Sequence, residues 1–270
     1  MTNSTQERQD TKIFQANNLD DGLRECQSEG YRVLFMPELA DARMEAEGNS
    51  ELWQNWFSTP SLRATGKTNA GSPVVVYAHV DNYFSNPDNI ETARKDLVRG
   101  AGRLPQEEFQ RLIDLAEQGN QGVILVPYEK LRKSPSGVIP VDDALEHPQT
   151  IAFLGGQERA EKYLEKHKEV YGNRIGVWHT NDLKGDQPLG RLLFVGSDCS
   201  SGLDDSNDLY DDACFVGVRR GESAEGAVRK NSAPSLEETL ATVAGEFGVT
   251  NPGELRKALE VYTSMKPYLK

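Results

Sequence analysis

Residues 61–68, SLRATGKT, end in the Gly-Lys-Thr triplet with which a phosphate-binding P-loop ends. A P-loop also requires a glycine five residues before the second glycine, a buried strand before the loop and a helix after it. Ser61 occupies that first glycine position, a tryptophan-rich segment precedes it, and a turn and then a strand follow. The sequence therefore excludes a P-loop and predicts a basic surface loop that carries Arg63 and Lys67 towards the strand.

Two histidines stand where apolar runs end. Residues 73–80, PVVVYAHV, are continuously apolar and β-branched up to His79, so we expect a strand that is buried on both faces. His179 ends the run IGVWH in the same way. If the two strand ends converge on one cleft, imidazoles there suit acid–base chemistry near neutral pH. His79 and His179 are thus the candidate catalytic residues, and the alternative is that His79 is a hydrogen-bonded strand-end residue of an unrelated fold.

The segment from Trp56-Phe57 through Gly71-Ser-Pro to the strand VVVYAH resembles the opening of ADP-ribosyltransferase-like domains of phages and mobile elements. The resemblance implies that His79 hydrogen-bonds the nicotinamide ribose of NAD. The segment departs from the family pattern in two places, because an alanine separates Tyr77 from His79 and no glycine follows the histidine.

The same resemblance places a ligand, NAD or another phosphorylated molecule, beside His79, with Arg63, Lys67 and Tyr77 as the candidate ligand-binding residues. It also requires a later tyrosine and glutamate, for which Tyr163 and Glu222 are the candidates. The resemblance therefore implies an enzyme that uses NAD as its substrate.

The loop at residues 198–212 contains six aspartates and no lysine or arginine. Asp204, Ser206 and Asp208 alternate as calcium ligands do, but an EF-hand is excluded because its loop glycine is missing and Phe215 replaces its glutamate. Asp204 and Asp208 stay candidates for a looser oxygen-lined cation site. The alternative is a solvated, mobile hairpin loop.

Composition limits the class of protein. The chain has 270 residues, 37% of them hydrophobic, which suffices for a folded core, and a formal net charge of −12, which disfavours non-specific nucleic-acid binding. Its three cysteines form no CxxC pair, so we expect reduced thiols. The polar start of the sequence and the short apolar runs predict a cytoplasmic protein with no membrane span.

The pattern of elements predicts an α+β fold, with a mixed or antiparallel sheet core, helices concentrated in the N-terminal half and a C-terminal helical hairpin. Residues 157–170 are expected to form a solvated surface helix with an exposed His167. Trp53 and Trp56 are expected to share a helical face and pack in the core, or to form a ligand shelf. Strands at 190–196 and 213–219 are expected to pair as an antiparallel hairpin. The predicted organisation is a disordered tail (1–11), a core domain (12–220), a linker (221–234) and a helical appendage (235–270).

Two functions follow from these features. The first is an enzyme that acts on NAD or another phosphorylated ligand at a site around His79. The alternative is a non-catalytic interaction module of viral or mobile-element origin, which uses the acidic loop 198–212 or the C-terminal helices to bind a protein partner.

Overall fold

The structure is a computed structural model that describes residues 11–131, 136–180, 187–200 and 202–219. The predicted linker, the helical appendage and nearly all of the predicted N-terminal tail lie outside these residues. The predicted domain boundaries and the C-terminal helical hairpin therefore stay predictions.

Strands and helices alternate irregularly along the described chain. The strands are β1 Thr11–Ala16, β2 Tyr31–Val33, β3 Phe57–Lys67, β4 Pro73–Ala78, β5 Gly102–Arg103, β6 Val123–Pro127, β7 Gly137–Pro140, β8 Arg174–Trp178, β9 Leu189–Val195, β10 Leu203–Asp204 and β11 Ala213–Arg219. The α-helices are α1 Leu19–Ser28, α2 Met36–Glu45, α3 Glu51–Gln54, α4 Pro87–Ala93, α5 Gln106–Glu117, α6 Tyr128–Leu131, α7 Val141–Leu145, α8 Pro148–Phe153 and α9 Gln157–Tyr171. Two short 3-10 helices lie between β4 and β5, at Tyr83–Ser85 and Arg94–Asp96.

The strands form two sheets. The larger sheet has the order β6-β4-β3-β9-β10-β8-β7, with β5 also paired to β9. Its pairs are antiparallel except for β10 and β8, which run parallel. The smaller sheet has the order β1-β11-β2 and is antiparallel. The predicted α+β class with a mixed sheet is therefore confirmed.

The predicted hairpin of residues 190–196 with 213–219 is wrong, because the two strands belong to different sheets. Strand β9 lies in the larger sheet between β3 and β10, whereas β11 is the central strand of the smaller sheet. Both segments are rich in apolar residues, and such a pattern identifies a strand without identifying its partner.

Strand β4 separates two hydrophobic clusters. Val75 and Tyr77 belong to one cluster, with residues from α2, α8 and α9, while Val74, Val76 and Ala78 belong to the other, with residues from α1 and α5. Alternate side chains of a strand point to opposite faces, so both faces of β4 are covered. The prediction of a doubly buried strand from the run PVVVYA is confirmed.

The predicted basic loop at residues 61–68 is wrong. Residues 61–67 form the second half of β3, a central strand that pairs with β4 and β9. A side chain at Gly66 would begin 2.8 Å from the ring of Phe109 on α5, so this glycine allows a close approach of helix and strand. Gly66 therefore serves core packing.

Helix α9 is amphipathic, with charged residues outward and a buried face that includes Tyr163, Leu164 and His167. The expectation that His167 is exposed is wrong. The indole of Trp53 stacks on Tyr163, with ring centroids 5.6 Å apart, and is fully buried. Trp56 lies outside α3, which ends at Gln54, and is 39% exposed. Core packing thus holds for Trp53 and is wrong for Trp56.

Within the described part of the chain, no helix is both long enough and apolar enough to cross a membrane. The compartment in which the protein works stays a prediction.

Candidate functional site

Asp205 is fully buried at the centre of a polar network on the larger sheet. Its Oδ2 accepts hydrogen bonds from the Tyr77 hydroxyl at 2.8 Å and from His179 Nδ1 at 2.6 Å, and lies 3.2 Å from Arg63 Nε. Its Oδ1 accepts the backbone N–H of Thr180 at 3.1 Å. The network joins β3, β4, the end of β8 and the acidic loop.

The charge of Asp205 is stabilised inside the protein. Burial by itself would raise the pKa of this carboxyl group, but the charges of Arg63 and His179 and the hydrogen bonds from His179 and Tyr77 outweigh burial and lower the pKa to about 2. Burial and the adjacent Asp205 charge raise the pKa of Tyr77, so the phenol stays a neutral donor. Arg63 also donates to the Thr180 hydroxyl at 2.8 Å and to its carbonyl at 2.5 Å.

A second buried arginine, Arg191 on β9, lies directly opposite Arg63 on β3. Its Nη1 donates to the carbonyls of Ser206 and Asn207, at 2.9 and 3.1 Å, and to Asp208 Oδ1 at 3.1 Å. Its Nη2 donates to the carbonyl of Arg99. Arg191 therefore ties one part of the acidic loop to the turn at residues 98–101.

That turn is shaped to receive the loop. Gly100 has a φ of +81°, and a side chain there would begin 1.4 Å from Asp208 Oδ1. The Leu209 N–H donates to the Gly100 carbonyl at 3.0 Å, and the Leu209 side chain is fully buried. Only a glycine allows both the backbone angle and the approach of Asp208.

Arg63 and Arg191 thus bind residues 203–209 from the sheet side. We refer to residues 203–209 as the clamped segment. The expectation of a solvated hairpin loop is wrong for these residues. The physical reason is that Asp205 is neutralised inside the protein by Arg63 and that Arg191 satisfies backbone carbonyls which water would otherwise solvate.

His79 lies two residues beyond Tyr77, and both its ring nitrogens are hydrogen-bonded. Nε2 donates to the Ala152 carbonyl of α8 at 2.8 Å, and Nδ1 accepts from the Ser61 hydroxyl at 3.0 Å. Ser61 Oγ in turn accepts the Met36 N–H at the start of α2 at 2.8 Å. Burial lowers the pKa of His79 to about 4, so the ring is neutral at pH 7. The chain of bonds links β3, β4, α2 and α8.

The predicted site residues are only partly brought together. Arg63, Tyr77 and His179 meet at Asp205. His79 instead bonds Ala152 of α8, and the ring of the next residue, Phe153, lies 6.5 Å from the His179 ring. Lys67 lies four residues beyond Arg63 on β3, which corresponds to about 13 Å along a strand.

The remaining candidates have other surroundings. Tyr163 is buried, and its hydroxyl accepts from Arg43 at 3.0 Å. Glu222 lies outside the described residues.

Asp204 and Asp208 each have hydrogen-bond partners of their own, and their role as cation ligands stays a prediction. Asp204 Oδ1 accepts from the backbone and the hydroxyl of Ser206, at 2.6 and 2.7 Å, while Asp208 pairs with Arg191. Within the described ranges, no group of three or more histidine, cysteine, aspartate or glutamate side chains could hold a metal ion.

Sequence reasoning missed Asp205 and Arg191. Asp205 is one of six similar aspartates, and nothing local distinguishes it. The informative signal was an arginine inside an apolar strand, Arg63 in SLRATG and Arg191 in LGRLLFV, because a buried guanidinium requires a partner from elsewhere in the chain.

Comparison with known proteins identifies the fold family. No family model matches the sequence, and neither does any curated protein. One solved structure is 54% identical to this chain, with a TM-score of 0.74. It comes from a description of how the C-type lectin fold accommodates massive sequence variation in Nanoarchaeota. The alignment covers 79% of this chain and 99% of that one. The chain therefore belongs to that family of C-type lectin fold proteins.

This finding corrects the resemblance to ADP-ribosyltransferase-like domains, which is wrong. The roles of NAD-dependent transferase and NAD binding, which depended on that resemblance, are wrong with it. The motif failed because an apolar strand that ends in a histidine occurs in unrelated folds; here its histidine connects β4 to α8. The similarity points to a binding module of the C-type lectin fold.

We expect Arg63→Met to destabilise the protein by about 3–5 kcal/mol, because it leaves the buried Asp205 charge with less compensation. Replacing both residues, as Arg63→Met with Asp205→Leu, should cost clearly less than the sum of the two single replacements. Urea unfolding provides the free energies. The control pair is Arg103 and Asp96, which is exposed, so breaking it should cost less than about 1 kcal/mol. Additive effects at Arg63 and Asp205 would contradict a coupled buried network.

The low pKa of His79 predicts acid sensitivity. A histidine whose pKa is lower in the folded than in the unfolded protein contributes stability above pH 6.5 that is lost as the pH falls towards 4. His79 alone should remove about 2 kcal/mol between pH 7 and pH 5. In His79→Gln, the glutamine amide can still donate to the Ala152 carbonyl. Urea unfolding at the two pH values should therefore show a loss of unfolding free energy that is smaller than in the parent by about that amount. An equal loss in parent and variant would contradict a buried, neutral His79.

Proposed function

We propose that this chain binds a protein partner through the surface at which the clamped segment and the end of β8 reach solvent. The observation that carries the proposal is the way the segment is held. Asp205 and the carbonyls of Ser206 and Asn207 are bound from the sheet side by Arg63 and Arg191. The two arginines thereby fix the backbone of the segment from the sheet side.

Exposed aromatic residues lie on the strands beside the segment and directly after it. Trp178 at the end of β8 is 36% exposed, Trp56 is 39% exposed and Tyr210 is 64% exposed, and these are the exposed large hydrophobic residues of the described chain. Exposed tryptophan and tyrosine are enriched in protein interfaces, where a large rigid ring gives contact area at a small entropy cost. This surface therefore has the chemistry of an interface.

The same arrangement suits a surface whose side chains change. The Nanoarchaeota relative is described as accommodating massive sequence variation. In this chain, Arg191 reaches Asn207 through the backbone carbonyl and not through the side chain. Tyr210 contacts its surroundings through a cation–π interaction with Arg94 at 4.8 Å. Replacing such side chains leaves the two arginine clamps intact, so we propose that this surface tolerates substitution as well.

The alternative surface is the predicted helical appendage at residues 235–270. It lies outside the described residues, so its use as a binding surface stays a prediction. A viral or mobile-element origin likewise stays a prediction. The proposal for the clamped segment is supported by contacts that the structure describes.

A photo-crosslinking amino acid, p-benzoylphenylalanine, at position 178 or 210 tests the proposal. In an extract of the cells that make the protein, both positions should give a crosslinked protein band that excess unlabelled parent protein removes. Position 162 on α9, where the Lys162 side chain is 63% exposed, is the matched control and should give no such band. Bands of equal strength at position 162, or none at 178 and 210, would contradict the proposed surface.

A further inference from the structure

Three strands place an aromatic residue, a carboxylate and another aromatic residue in one row. Asp204 on β10 lies opposite Trp178 on the parallel strand β8 and opposite Phe194 on the antiparallel strand β9. Residues directly opposite each other in a sheet project from the same face. Trp178, Asp204 and Phe194 therefore share one face of the larger sheet.

The neighbours of these residues show which face this is. Val177, Leu203 and Val195 each immediately precede or follow a member of the row, and all three belong to the cluster that packs against α2, α8 and α9. Because successive side chains alternate between faces, the row lies on the opposite face.

Trp56 extends the row. Its indole stacks on the Phe194 ring, with centroids 6.2 Å apart and planes at 23°. Phe194 is covered, whereas Trp56 and Trp178 remain exposed on the two sides of Asp204. Adjacent strands are about 4.8 Å apart, so the backbones at Phe194 and Trp178 are separated by about 10 Å, with Asp204 between them.

One carboxylate oxygen of Asp204, Oδ2, can still accept a hydrogen bond. Ser206 occupies Oδ1 with two hydrogen bonds, whereas Oδ2 accepts none from the described residues and is not one of the fully enclosed polar atoms. Burial raises the pKa of this carboxyl group, as does the neighbouring Asp205 charge, while the Ser206 hydrogen bonds lower it. A partly buried carboxylate of this kind gains more from a cation than a fully solvated one does.

We propose that Trp56, Asp204 and Trp178 bind a lysine or arginine side chain of the protein partner, with the cation on Asp204 Oδ2 and its alkyl stem against the indoles. This inference rests on the proposed function and names the chemistry that the surface recognises. Indole faces attract cations, and the open carboxylate oxygen supplies a charge-assisted hydrogen bond. The net charge of −12 also steers a basic partner towards the chain.

The probes are N-acetyl-arginine amide and N-acetyl-lysine amide, with N-acetyl-citrulline amide and N-acetyl-norleucine amide as neutral counterparts of similar shape. Each is titrated into the full chain while tryptophan fluorescence and the indole N–H signals in NMR spectra are followed. The cationic probes should shift the Trp56 and Trp178 signals saturably, and the neutral ones should not. Added salt and a fall in pH should weaken the effect, because both reduce the charge interaction with Asp204.

Two variants test the assignment of residues. Asp204→Asn keeps an oxygen that accepts the hydrogen bonds of Ser206, and it should weaken the binding of the cationic probes about fivefold. Trp178→Ala should weaken their binding at least as much. Asp142→Asn removes an exposed carboxylate on α7, away from the row, and should leave binding unchanged. Equal responses to arginine and citrulline probes, or no loss in Asp204→Asn, would overturn the inference. Crosslinking at position 178 with no response to cationic probes would overturn this inference alone and leave the proposed function standing.

Discussion

The burial of Asp205 against Arg63 is the interaction on which the rest of the site depends. A buried carboxylate is stable only if its charge is matched and its oxygens are hydrogen-bonded, and here β3 supplies the guanidinium, β4 the phenol of Tyr77, and the end of β8 the imidazole of His179. Each of these groups comes from a different element. The acidic loop therefore takes its position only when the whole sheet is assembled.

This division of labour explains how a loop rich in aspartate becomes a defined surface. Arg63 holds a side chain of the clamped segment and Arg191 holds its backbone, so the sheet side of the segment carries the structural contacts. The solvent side carries aromatic and polar side chains that the clamps do not use. A rigid backbone with replaceable side chains suits a binding module, because preorganisation lowers the entropy cost of binding whatever the side chains recognise.

Local sequence patterns predicted the elements better than they predicted the site. The apolar run of β4 and the charged stretch of α9 are local, and both elements form where expected. The pairing of β9 and β11, the strand character of residues 61–67 and the partner of His79 depend on contacts distant in sequence. The misleading signal was composition: six aspartates suggested a solvated loop, whereas one of them, Asp205, neutralises an arginine inside the core. The arginines within apolar strands were the observable sign that such a partner must exist.

Hydrogen–deuterium exchange of the clamped segment tests the central claim most directly. The Asp205 N–H donates to the Trp178 carbonyl and the Leu209 N–H to the Gly100 carbonyl, so both amides should exchange far more slowly than in an open loop. In Arg191→Met, the Leu209 amide should exchange at least about tenfold faster, while amides of β4 keep their protection. Loop amides that exchange at open-chain rates in the parent, or that do not respond to loss of Arg191, would contradict the account.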